Sequence, residues 1–172
     1  FLFKEWIEGR LRNLYLTAAM LIVFAIFLAI ADRVGSNRRT LDRLSWRDGL
    51  LFGFAQALAL IPGVSRSGGT ITAGLLMGYT REAAARYSFL LAVPAVMASG
   101  FYQLLRSWQI GSPIAAGPTA LATVVAFFVA YGVIVVFLKL VSSRGYMPFV
   151  YYRIALGLLV FGLLATGTLS PL

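Results

Sequence analysis

Long uncharged apolar runs alternate with short charged stretches along the chain. Four runs are long enough to cross a bilayer as a helix, for which about 20 apolar residues are needed. They predict spans at about residues 13–31, 87–105, 119–138 and 152–170, the last of which is uncharged from Ile154 onward. The charged stretch from Lys139 to Arg153 is predicted to be a loop. The pattern predicts an all-α, polytopic membrane protein with about four transmembrane helices, arranged as a single membrane domain over residues 1–172.

A fifth apolar segment, residues 49–79, is interrupted in its middle. Its halves, 49–61 and 69–80, are each too short to cross a bilayer alone. Between them lies the polar sequence Pro62-Gly-Val-Ser-Arg-Ser-Gly-Gly-Thr70. Two topologies follow: a broken helix that crosses the membrane, or a re-entrant helix-loop-helix hairpin whose two ends lie on the same side.

The distribution of cations favours the hairpin. With a hairpin, four cations lie on one face (Lys4, Arg10, Arg12 and Arg106) and ten on the other: Arg33, Arg38, Arg39, Arg43, Arg47, Arg81, Arg86, Lys139, Arg144 and Arg153. With a crossing segment the tally becomes six against eight. The positive-inside rule therefore predicts the hairpin, with the ten-cation face cytoplasmic and the C-terminus outside.

Composition excludes several classes of protein. Hydrophobic residues make up 60% of the chain and charged residues 12%, against about 25% charged in soluble domains. The net charge of +9 does not indicate nucleic-acid binding, because the basic residues flank apolar spans. The chain contains no cysteine and no histidine, so thiol nucleophiles, disulfides and an imidazole base are excluded.

The polar loop of the hairpin carries the candidate chemistry. Arg66 would lie near the middle of the bilayer, where a charged side chain costs at least about 2.5 kcal/mol. Ser65, Ser67 and Thr70 offer hydroxyls, and the second half-helix directs its N–H groups and the positive end of its dipole toward the loop. A guanidinium suits a phosphate bidentately. The loop is predicted to be an anion site, the alternative being an Arg66 that pairs only with carbonyls or a carboxylate.

The sequence around this loop resembles the bacitracin-resistance family of undecaprenyl-diphosphate phosphatases. The family pattern PGxSRSxxT is matched at every specified position from Pro62 to Thr70. The resemblance continues through residues 81–90 and through Tyr152-Arg-Ile-Ala-Leu-Gly157, and it covers essentially the whole chain.

The resemblance implies hydrolysis of undecaprenyl diphosphate to undecaprenyl phosphate, which recycles the lipid carrier of peptidoglycan synthesis and gives bacitracin resistance. It implies a bacterial inner-membrane location and half of an inverted-repeat fold. Arg66 would clamp the diphosphate, while Ser65, Ser67 and Thr70 would contact phosphate oxygens or shape the loop. The implied catalytic residues are Arg66, Ser65 and Ser67, and the implied substrate-binding residues are Gly63, Ser65, Arg66, Ser67, Thr70 and Gln56.

One part of the family pattern has no counterpart here. The family's first repeat contributes an acidic ExxxE-type motif, a serine pair and a histidine, and the chain's six acids lie in predicted loops or tails. Hydrolysis needs a base and a divalent cation held by carboxylates, Mg²⁺ or Ca²⁺. We therefore expect the chain to be inactive alone, with roughly the first third of the parent protein missing and the cation ligands outside this chain.

Other assignments follow from these expectations. The expected partners are a polyprenyl diphosphate lipid and the membrane, without nucleic acid, and a homodimer is an alternative to a monomer. A transporter or flippase for an anionic lipid is the rival function, and a remnant that only binds phosphate is a third. Arg153 is predicted to be an interfacial anchor or a contact to lipid headgroups, and the Gly49/Gly53 and Gly74/Gly78 pairs are predicted to pack helices closely.

Overall fold

The computed structural model describes residues 13–110 and 116–170, and this part of the chain is almost entirely helical. Four helices are long and apolar enough to span a membrane, so the predicted all-α, polytopic class is confirmed. The helices are α1 (Leu14–Val34), α2 (Trp46–Ala57), α3 (Arg66–Leu76), α4 (Arg81–Ile110), α5 (Ala116–Arg144) and α6 (Met147–Ala165), with short 3₁₀ turns at Leu41–Arg43 and Leu58–Leu60.

The last two helices extend further than the apolar runs that predicted them. The charged stretch expected to form a loop from Lys139 to Arg153 is helical except for Gly145 and Tyr146. Pro148 lies in the first turn of α6, where its missing N–H costs no helical hydrogen bond. Helix α6 therefore begins before the apolar run does, and Arg153 lies within the helix.

The hairpin is closed at its base by a buried carboxylate. Asp48, in the first turn of α2, accepts hydrogen bonds from Arg39 Nη2 at 2.6 Å, from Ser45 Oγ at 2.7 Å and from Tyr79 Oη at 2.9 Å. The backbone of Arg39 also pairs with the segment after α3, since its carbonyl accepts from Thr80 N at 2.9 Å. The two ends of the hairpin thus lie together, as the re-entrant topology predicts.

A second polar cluster joins the transmembrane helices at the same face. Arg81 Nε, at the start of α4, lies 2.6 Å from Asp32 Oδ1, at the end of α1. Tyr146, between α5 and α6, donates its backbone N–H to Asp32 Oδ2 at 3.2 Å and its hydroxyl to the Arg81 carbonyl at 2.9 Å. Together with the hairpin base, this cluster defines one face of the molecule, called here the basic face.

Hairpin and spanning helices pack around α1 and α3. Helix α6 runs antiparallel along α1, and the rings of Tyr15 and Phe161 pack in a tilted arrangement with 6.1 Å between their centroids. Helix α3 contacts α1, α2 and α4. The core includes Phe52, Leu75 and Tyr79, all fully buried. None of the most apolar window of α5 is buried, so α5 presents its surface to lipid or to other protein.

Candidate functional site

The tip of the hairpin packs against the backbone of α1. Gly63 has φ +93°, and a Cβ there would lie 2.3 Å from the Thr17 carbonyl oxygen, so only glycine fits both the turn and the contact. Thr17 is the fourth of the 21 residues of α1, about 10 Å from the middle of that helix at 1.5 Å per residue. The loop therefore reaches beyond the centre of α1, away from the basic face.

Ser65 begins helix α3 in a backbone conformation that is rare for a residue with a side chain. Its φ is +67° and its ψ is 123°, and such a conformation costs on the order of 1–3 kcal/mol. The Ser65 hydroxyl caps the helix by accepting a hydrogen bond from Gly68 N at 3.2 Å. Strain and cap together orient the first turn of α3 at the tip of the hairpin.

The first turn of α3 offers donors without protein partners. No backbone hydrogen bond in the described residues uses the N–H groups of Arg66 or Ser67. The Arg66 side chain is exposed, and it makes no hydrogen bond or ion pair with any described residue. Two N–H groups, a helix dipole and a guanidinium at one helix start form an arrangement suited to an anion with several oxygens.

Thr70 connects this turn to helix α4 inside the protein. It is fully buried, and its hydroxyl lies 3.0 Å from the Arg66 carbonyl oxygen and 2.5 Å from the hydroxyl of Ser88 on α4. Because these contacts use the hydroxyl inside the protein, Thr70 shapes the turn that carries Arg66.

A second guanidinium reaches the loop from α6. Arg153 is buried, and its Nη2 donates to the carbonyls of Gly63 at 2.8 Å and Val64 at 3.1 Å. Its Nε lies 3.4 Å from the Leu21 carbonyl oxygen on α1. The side chain therefore ties the loop to two spanning helices.

Comparison with known proteins identifies the group to which this fold and loop belong. The family model described as bacitracin resistance protein BacA matches residues 1–159. The chain belongs to the BacA family.

Curated relatives agree with this assignment. The chain is 67% identical over 168 residues to a protein of Agrobacterium fabrum named undecaprenyl-diphosphatase 2, a match that covers 98% of the chain and 60% of that protein. It is 59% identical over 172 residues to the undecaprenyl-diphosphatase of Paenarthrobacter aurescens, covering 98% of the chain and 62% of the relative. The chain thus spans about 60% of the length of the curated relatives it matches.

The six predicted site residues lie in three places in the structure. Ser65, Arg66 and Ser67 lie together at the start of α3, and no hydrogen bond within the described residues uses the Ser67 hydroxyl. Gly63 and Thr70 face the protein. Gln56, near the end of α2, is half-buried with its Nε2 3.5 Å from the Leu91 carbonyl oxygen, a long contact that leaves most of its hydrogen-bonding capacity unused.

Arg153 is where the sequence interpretation was wrong. It is not an interfacial anchor, since its guanidinium is buried against the carbonyls of Gly63 and Val64. The signal was available in Pro148, a residue typical of a helix start, which places Arg153 more than one turn inside the helix. An ionisable residue at that depth indicates a functional role.

Carboxylates of the described residues lie away from this BacA loop. Asp32 and Asp48 belong to the clusters of the basic face, and Glu82 pairs with Arg86 at 2.8 Å. In residues 13–110 and 116–170, no three His, Cys, Asp or Glu side chains gather where they could hold a metal ion. These residues therefore do not fit a divalent-cation site. Glu5 and Glu8 lie outside the described residues.

Proposed function

We propose that the full-length protein containing this segment hydrolyses undecaprenyl diphosphate to undecaprenyl phosphate and phosphate. This reaction would recycle the lipid carrier of peptidoglycan synthesis and give resistance to bacitracin. The observation that carries the proposal lies at the start of α3. There the Arg66 guanidinium and the N–H groups of Arg66 and Ser67 have no partner among the described residues. The names of the relatives, which are 54–67% identical over nearly the whole chain, support the same reaction.

Each group of the loop has a role in this reaction. Arg66 would bind two oxygens of the diphosphate side by side and stabilise the charge that develops on the transferred phosphoryl group. The N–H groups at the start of α3 would hold a third oxygen. Ser67 offers a free hydroxyl for the same phosphate, and Ser65 orients the turn through its cap.

Among the described residues, no carboxylate lies near the loop to accept a proton in the reaction. Histidine is absent from the chain, and the described carboxylates lie at the basic face, so we propose that the base lies in a part of the full-length protein outside these residues. The same holds for the ligands of a Mg²⁺ or Ca²⁺ ion. The segment alone would therefore bind a diphosphate and leave it intact.

We also propose an orientation in the bacterial inner membrane. Removal of the buried Arg153 from the ten predicted cations leaves nine, which still outnumber the four on the other face. The positive-inside rule then places the basic face in the cytoplasm and the C-terminus outside. Substrate would meet the loop in the half of the bilayer away from the basic face.

A transporter or flippase for an anionic lipid is the second candidate. It is supported by the half-helix whose N-terminus points at the anion site, a recurrent device of transporters. A homodimer, for which the exposed surface of α5 offers area, is compatible with either function.

Phosphate release separates the two functions. The full-length protein, purified in detergent and given a polyprenyl diphosphate, is expected to release orthophosphate. Arg66→Ala is expected to lower kcat/KM by about 10²–10³-fold, because a donor to the developing charge is lost. The exposed Arg47→Lys serves as a control and should leave the rate unchanged. Lipid movement across vesicles without phosphate release would instead establish the transporter.

A further inference from the structure

Arg153 is a buried cation without a counter-ion. Its residue exposure is 9%, and among the described residues it forms no ion pair. Its Nε and Nη2 face backbone carbonyls, which hold the guanidinium in place without neutralising its charge. A buried charge with no opposite charge is costly in a protein interior and more so at membrane depth.

The remaining nitrogen of this guanidinium, Nη1, is directed at the start of α3. A Cβ built on Gly68 would lie 2.7 Å from Arg153 Nη1 and 3.3 Å from Ser65 Oγ. Nη1 and the Ser65 hydroxyl therefore flank the same glycine in the first turn. No side chain separates them, because residue 68 is glycine.

Nη1 also has hydrogen-bonding capacity to spare. Each terminal nitrogen of a guanidinium carries two N–H donors, and none from Nη1 is used within the part of the chain that the structure describes. An anion bound at the N–H groups of Arg66 and Ser67 would supply both the acceptor and the missing negative charge. The same anion would then contact guanidinium groups from two elements, α3 and α6.

We propose that Arg153 binds the diphosphate through Nη1, as a second guanidinium opposite Arg66. The inference rests on the proposed function, since it assigns another ligand to the same site. The two arginines differ in kind. Arg66 is exposed and unrestrained, whereas Arg153 is fixed by three backbone carbonyls and gives the site a positive charge of fixed position.

Binding of inorganic pyrophosphate to the full-length protein in detergent tests this role. Arg153→Gln keeps an amide that can donate to the loop carbonyls but removes the charge. We expect its Kd for pyrophosphate to rise about tenfold or more, as for a lost charge-assisted hydrogen bond, and its Kd to depend less steeply on salt, because one charge is missing. Arg153→Lys, which keeps the charge, should lose less affinity.

Arg81→Lys is the matched control. Arg81 is likewise a guanidinium held by a carboxylate and a carbonyl, but at the basic face, so its replacement should leave the pyrophosphate Kd unchanged even where thermal stability falls. An Arg153→Gln protein with a wild-type Kd, or with weaker binding and an unchanged salt dependence, would overturn the inference and reduce Arg153 to a support of the loop. If Arg153→Gln does not fold, Gly68→Ala decides on the same Kd, because a Cβ at residue 68 would lie 2.7 Å from Nη1 and displace it. A wild-type Kd of that variant would then overturn the inference.

The result also separates this inference from the proposed function. If the wild-type protein binds pyrophosphate and Arg66→Ala does not, the anion site stands whatever Arg153 does. If the wild-type protein neither binds pyrophosphate nor releases phosphate from the lipid, the proposed function fails, and this inference fails with it.

Discussion

Ser65, at the hairpin tip, is held in a backbone conformation that is rare for a residue with a side chain. Ser65 has a positive φ although it is not glycine, and its hydroxyl caps α3 by accepting a hydrogen bond from Gly68 N. The neighbouring Arg66 keeps its guanidinium free. Strain of this kind persists where the surrounding structure imposes it, and it clusters at binding sites.

Two substitutions separate strain from capping at Ser65. Ser65→Ala removes the cap but keeps the strained φ, so we expect the free energy of unfolding to fall by about 1 kcal/mol. Ser65→Gly removes the cap at a cost of a few tenths of a kcal/mol and relieves strain of about 1–3 kcal/mol. Unfolding of the full-length protein in detergent should therefore rank Gly at or above wild type and Ala below it. Equal losses in both variants would show that φ at residue 65 is not strained.

The sequence accounts for part of the candidate site. Ser65, Arg66 and Ser67 are predicted as site residues because they lie together in one polar loop between apolar halves, and their roles stay a prediction. The contact of Arg153 with the loop could not be predicted, because the cations from Lys139 to Arg153 indicate a loop and because Gly63 lies 90 residues away in the chain. The Thr70–Ser88 contact was missed because hydroxyls in membrane helices most often bond their own backbone.

Between elements, the base of the hairpin is held closed by hydrogen bonds to the Asp48 carboxylate. Hydrogen bonds from Arg39, and then from Ser45 and Tyr79, hold the pKa of Asp48 well below its usual range. Burial, and then the neighbouring carboxylate, raise the pKa of Tyr79 to about 12. Both groups thus keep the charge states of the closed base, a carboxylate and a neutral phenol, throughout the neutral range.

Loss of the Asp48 charge is expected to loosen the hairpin base. Asp48→Asn leaves Arg39 without its carboxylate, and the free energy of unfolding should fall by about 1–3 kcal/mol. Because the pKa of Asp48 is lowered in the folded state, its stabilisation is present above the unfolded value of about 4 and is lost as pH falls below it.

Unfolding of the full-length protein as a function of pH checks both expectations. Below pH 4 the wild type should lose stability more steeply than Asp48→Asn, while the exposed-pair variant Glu82→Gln should follow the wild type. Parallel pH curves for the wild type and Asp48→Asn would argue against a role for this carboxylate.

Glycine spacing predicted the packing of elements only in part. A Cβ at Gly74 would lie 2.8 Å from Ala84 Cβ and 2.9 Å from the Phe52 ring, so α3 does pack closely there. Gly53 meets nothing within 4 Å, and Gly78 follows α3 in the turn. A GxxxG pattern marks where helices could approach but does not say which of its faces has a neighbour.

For the whole molecule, charge counting predicts the hairpin because the two faces of a membrane differ in the cations of their loops. The structure brings the two ends of the hairpin together through Asp48 and Tyr79, while the cytoplasmic location of the basic face stays a prediction. The lengths of α5 and α6 could not be predicted from the apolar runs. A helix can extend beyond the hydrocarbon layer for as long as its backbone hydrogen bonds continue. The exposed face of α5 depends on protein or lipid beyond these residues, which composition cannot distinguish.

The proposed orientation is testable with single cysteines, because the chain has none of its own. In the full-length protein freed of other cysteines, Ser142→Cys lies at the basic face and Ser170→Cys beyond the end of α6, and both positions are exposed. A membrane-impermeant maleimide added to intact cells should label Ser170→Cys and leave Ser142→Cys unlabelled until the membrane is opened. Labelling of Ser142→Cys alone in intact cells would show that the topology is the reverse of the proposed one.

Binding of a diphosphate at the start of α3 through Arg66 can be observed in a structure of the full-length protein with a methylene-bridged diphosphonate lipid analogue. We expect analogue oxygens at hydrogen-bond distance, about 2.7–2.9 Å, from the Arg66 guanidinium, with further contacts to the N–H groups of Arg66 and Ser67. A headgroup bound elsewhere, with Arg66 facing away from it, would show that the loop is not the diphosphate site.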